Sequence, residues 1–63
     1  MWTAVHIIEG EKTAIELKEK LIQEGFLIKL KLFVKDGDIE NYQIMTPEFE
    51  ANDVYNAIID LGY

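Results

Sequence analysis

Sixty-three residues without a single cysteine must be held together by packing alone. At this length only about 60% of the unfolded chain's surface is buried on folding, so stability is marginal. Scaffolds this small usually gain support from disulfides, a metal or oligomerisation. Disulfides and thiolate metal sites are excluded, and one histidine, His6, cannot build a histidine zinc site within one copy. Close packing and self-association remain.

Apolar residues make up 49% of the chain, which suits one globular domain, residues 1–63, and is too much for a disordered one. No apolar run approaches the roughly 20 residues of a membrane span. The first eight residues lack the cationic start and small-residue cleavage site of a secretory signal, so the expected address is cytoplasmic. Residues 1–35 carry all six lysines against five acids, whereas residues 36–63 carry seven acids and no base. Nucleic acid and anionic membranes both select a basic face, so neither is expected as a partner. The acidic C-terminal half reads as a solvated face that could take a basic protein partner.

Residues 2–8 are dense in β-branched and aromatic side chains and read as strand one. Gly10 then opens a helix, with Glu11 at the positive end of its dipole. Thr13 and Glu16 also fit a capping box that would start the helix at Ala14, but the Gly10 start leaves the shorter connection. From 11 to 24 the pattern is helical. Ala14, Ile15, Leu17, Leu21 and Ile22 form its apolar stripe, and Glu16 and Lys20 make an i,i+4 pair. Gly25 closes the helix in a left-handed conformation, with Phe26 placed to pack on Leu21.

Residues 26–34 read as strand two. Ile28, Leu30, Leu32 and Val34 face one way; Lys29, Lys31 and Phe33 face the other. Asp36-Gly37 signals a two-residue turn of type I′, leading to strand three at 39–46. Thr46-Pro47 suits an N-cap followed by the first helical residue. The second helix presents Ala51, Val54, Ala57, Ile58 and Leu61, then closes on Gly62 and Tyr63 as the first closed on Gly25 and Phe26.

The order is therefore β-α-β-β-α, an α+β class. A right-handed crossover between strands one and two places both helices on one face of a three-stranded mixed sheet, order 1-3-2. Such a sheet is a truncated ferredoxin-like arrangement lacking the fourth strand. It leaves strand one with an open edge and the second sheet face bare.

No residue set is laid out for catalysis. The chain has no serine or cysteine to serve as a nucleophile for His6, which reads as a surface or interface histidine. Asp36, Asp38 and Glu40 lack the spacing of a calcium loop. Glu48, Glu50 and Asp53 complement a helix N-terminus. The four glycines fall at caps and turns, not in a phosphate loop. No cofactor, metal or catalytic residue is expected. One constellation stands out. If Val5 and Ile7 face the helices, then Trp2, Ala4, His6, Lys29, Lys31 and Phe33 share the bare face, a partner or dimer surface of aromatic and basic character.

The opening residues Met1-Trp2-Thr3-Ala4-Val5-His6-Ile7, the helix end Leu21-Ile22-Gln23-Glu24-Gly25 and the segment Tyr42-Gln43-Ile44-Met45-Thr46-Pro47-Glu48 together resemble a family of short prokaryotic signal-transducing proteins. That family is similar in fold to the nitrogen-regulatory PII proteins. The resemblance implies a regulatory or binding role and carries no catalytic residue. The short turn at 35–39 has no counterpart of the loop on which PII proteins bind nucleotide. The expectation is a non-enzymatic regulatory or interaction module, most simply a homodimer. A small-metabolite sensor with its ligand between subunits, or an accessory subunit of an enzyme, is the alternative.

Overall fold

The computed structural model describes residues 1–63, in the order β1 (Trp2–Glu9), α1 (Glu11–Gln23), β2 (Lys29–Asp36), β3 (Ile39–Pro47), a 3-10 turn (Glu48–Glu50) and α2 (Ala51–Asp60). The sheet order is β1-β3-β2, as expected. Both pairings are antiparallel, so the sheet contains no parallel neighbours and is not mixed. Leu17 and Leu21 of α1 and Val54 and Ile58 of α2 join Ile28 and Ile44 in one buried cluster, which puts both helices on one face. The shortest molecular dimension is 15 Å, the depth of a single helix layer on a single sheet. The other face is bare.

Each helix ends in a Schellman motif. After α1, Phe26 N donates to Leu21 O (3.2 Å) and Gly25 N to Ile22 O (2.9 Å). After α2, Tyr63 N donates to Ile58 O (3.1 Å) and Gly62 N to Ile59 O (2.9 Å). Gly25 has φ 96°, a left-handed value that glycine adopts without the penalty a Cβ brings. Both aromatics then pack against the core. Tyr63 does more. Its hydroxyl donates to Glu16 Oε1 at 2.7 Å and accepts from Lys20 Nζ at 3.1 Å, fastening the end of α2 to α1. The Tyr63 hydrogen bond is the main cause that holds the Lys20 pKa above its ordinary value. Glu16 and Lys20 form the i,i+4 pair, at 3.8 Å.

Several local expectations are revised by the packing around them. Helix α1 does begin after Gly10, without a capping box. Its stripe is narrower than the periodicity suggests: Ala14, Leu17 and Leu21 are buried, while Ile15 and Ile22 lie about 40% exposed or more on the flank away from Tyr63. Strand β2 starts at Lys29, not Phe26, because Phe26 is committed to the helix cap. The hairpin turn is Gly37-Asp38, one residue later than Asp36-Gly37, with Asp36 paired to Ile39. Only Gly37 has positive φ (64°), which fits type II′ rather than I′, where both turn residues need it. Thr46 and Pro47 do not cap α2. Pairing with Thr3 and Trp2 keeps them extended, so a 3-10 turn intervenes before the helix. Leu61 also stays partly exposed instead of joining the core.

Two bulges set the side-chain phases. Between Ala4 and His6 the register of β1 against β3 shifts, leaving Val5 as the extra residue. Between Leu32 and Val34 the same happens in β2 at Phe33. An extra residue reverses the alternation beyond it. No helix is long and apolar enough to cross a membrane.

Candidate functional site

The central strand decides which side is which. Tyr42, Ile44 and Thr46 are buried beneath the helices, so Asn41, Gln43 and Met45 point to the bare face. Cross-strand partners share a face, and the register lays the bare face out in rows. Trp2 stands beside Pro47. Ala4, Met45 and Lys29 follow, then Ile7, Gln43 and Lys31, then Glu9, Asn41 and Val34, and last Ile39 with Asp36. Lys29 Nζ sits 4.2 Å from the centre of the Trp2 ring. Since β1 and β2 are separated by β3, the two side chains meet over the central strand. A cation stacked on an exposed indole contributes about 0.5–1 kcal/mol and fixes the ring's orientation.

Four of the six expected residues therefore meet: Trp2, Ala4, Lys29 and Lys31. His6 does not join them. The Val5 bulge puts it opposite Ile44, on the helix-covered side where Val5 and Ile8 pack on the core. Phe33 sits at the β2 bulge without a partner in β3, and its ring is exposed. Ile7, expected to face the helices, takes a place on the bare face and is 51% exposed. Val34, expected in line with Leu30 and Leu32, changes sides for the same reason. The one signal available in the sequence was the doublet Ile7-Ile8, which cannot keep both residues inside under strict alternation.

The face is flat, and the molecule contains no pocket. No group of histidine, aspartate or glutamate side chains is arranged to hold a metal. The most polar corner lies at the far end of the sheet, on the helix side. There the Tyr42 hydroxyl meets Glu40 Oε1 at 3.1 Å and Glu11 Oε2 at 3.3 Å. Burial, with the Glu40 hydrogen bond and the two carboxylates adding to it, pushes the phenol up to about 12. A phenol ionises near 10 in an unfolded chain, so its folded-state value is raised. The stabilisation is fully present below pH 10 and is lost as pH climbs toward 12. Tyr42→Phe should remove that alkaline loss. Chemical denaturation at pH 9 and at pH 11.5 tests it: parallel declines in wild type and variant would show that Tyr42 is not responsible.

These features define a small antiparallel α+β domain, ferredoxin-like without its fourth strand, whose distinguishing surface is an uncovered sheet face. Compared with protein-family models, curated proteins and solved structures, the chain matches none.

Proposed function

We infer that the protein is a non-enzymatic, cytoplasmic interaction or regulatory module that works by presenting its bare sheet face to another protein surface. The observation that carries this is the row pattern itself, which gathers Trp2, Ala4, Ile7, Met45, Val34 and Ile39 with Lys29 and Lys31 on one flat surface. Flat surfaces with an aromatic anchor and a polar rim suit protein partners better than small ligands, which favour concave sites. The resemblance to prokaryotic signal-transducing proteins points the same way. Self-association as a homodimer is part of this reading. A second surface for a basic protein lies in the acidic half, where Phe49 is 80% exposed between Glu48 and Glu50.

A thermal-shift screen against nucleotides and amino acids separates this reading from a metabolite sensor. A specific ligand at 100 times its Kd adds about 2.7 kcal/mol to stability. The expected result is a flat screen. A saturable shift from any one metabolite would instead make the protein a small-molecule sensor.

A further inference from the structure

We propose that the occupant of the bare face is a second copy of this chain, stacked face to face about a twofold axis running across the strands. This rests on the reading that the face is a protein-binding surface.

Three observations carry it. First, lateral growth of the sheet is obstructed on both sides. The two edge strands, β1 and β2, each carry a bulge, and the central strand carries none. A bulge interrupts the ladder a further strand would need, and β2 adds Lys29, Lys31 and Lys35 along its edge. An edge-to-edge dimer, which the uncharged sequence of residues 2–8 invites, is therefore blunted. The face remains. Second, the face is electrically balanced on a chain of net charge −6: its rows hold Lys29 and Lys31 against Glu9 and Asp36. Two strongly acidic copies repel least when they approach through their neutral side.

Third, those charges are sorted by end. The lysines occupy the rows nearest Trp2, and the two acids occupy the rows nearest the hairpin turn. A twofold axis across the strands reverses one sheet over the other and lays the lysine end on the acidic end of its mate. It also sets Met45 over the mate's Ile39 on the central strand, apolar against apolar. Lys29 then pairs with Asp36 of the second copy, twice by symmetry. Three strands about 4.8 Å apart and about 26 Å long present roughly 14 by 26 Å, well under the ~800 Å² per partner of a standard interface. The dimer should accordingly be weak and reversible, dissociating in the micromolar range or above.

Sedimentation of the full chain from about 10 µM to about 1 mM, where such interfaces dissociate, measures it. Lys29→Asp and Asp36→Lys should each weaken association by about tenfold, since each turns an attraction into a repulsion. The double variant Lys29→Asp/Asp36→Lys should restore it. Within one chain these residues stand about 23 Å apart along β2, so rescue reports a contact between copies. Ile7→Glu should also break the dimer while the melting temperature holds. That variant separates face stacking from β2 edge pairing, which Ile7 of β1 would not touch. A wild-type monomer throughout, a dimer indifferent to Ile7→Glu, or a double variant no better than the singles would each overturn the proposal. If the wild type is monomeric yet binds another protein through Ile7, the stacked dimer falls while the interaction-module reading stands.

Discussion

Replacing Leu21 by alanine should cost about 2–5 kcal/mol and leave much of the protein unfolded at room temperature. Leu21 is fully buried within the six-residue cluster that joins both helices to β3. Its carbonyl also accepts the hydrogen bond from Phe26 that closes α1. Truncation opens a cavity at the point where helix, cap and sheet meet, and so few core residues offer little to relax into the gap. A domain of this size holds only a few kcal/mol in reserve. The effect on the folded population is therefore larger than the same change would produce in a larger domain. Urea denaturation followed by tryptophan emission measures it, because Trp2 lies on the opposite face of the sheet and is untouched by the substitution. The contrast with Ile22→Ala is instructive. Ile22 sits in the same helix and in the stripe that periodicity assigns to the core, yet it is 45% exposed. Its truncation should cost under about 1 kcal/mol. Equal losses at the two positions would mean that α1 packs with a different face.

Leu21 and Ile22 also mark where sequence reasoning succeeds and where it stops. Element order, sheet order and the two glycine-aromatic closures were legible because each rests on short-range chemistry: helical spacing, left-handed glycine and the handedness of a crossover. The width of the buried stripe on α1 was not, since it depends on how much sheet lies beneath the helix. A three-stranded sheet shared by two helices covers only Ala14, Leu17 and Leu21. The bare face was expected, and its membership was half legible. Trp2, Ala4, Lys29 and Lys31 precede the bulges in their strands and kept their assigned side. His6, Ile7 and Val34 follow the bulges and changed sides. Neither bulge involves glycine, so beyond the Ile7-Ile8 doublet nothing in the local residues announced the extra count; it arises from fitting two strands to a third. The end of β3 shows the same hierarchy, with pairing to β1 overruling a plausible N-cap at Thr46.

That overruled cap leads to the second large effect. Thr46 is fully buried, and its hydroxyl donates to the Leu27 carbonyl at 2.9 Å. The Leu27 N–H in turn donates to Glu50 Oε2 at 3.2 Å. The five residues between the end of α1 and the start of β2, 24–28, are thus tied through Leu27 to the end of β3 and the turn after it. Ile28, in the same connection, belongs to the core, so the tie also holds a core side chain in place. Thr46→Val keeps the shape and removes the hydroxyl, leaving the Leu27 carbonyl without its partner. The expected loss is about 0.5–1.5 kcal/mol, the net worth of a part-buried hydrogen bond, since Leu27 is 56% exposed and water can reach its freed carbonyl. Thr46→Ser supplies the control. It keeps the donor and gives up one buried methyl group, for about 1 kcal/mol. Hydrogen exchange at the Leu27 amide distinguishes the two variants more sharply than a melt. If the hydroxyl anchors the connection, exchange there should speed up in the valine variant and stay near wild type in the serine variant. A valine variant as stable and as slowly exchanging as wild type would show that Thr46 serves only as packing, and that the Glu50 bond alone positions the start of β2.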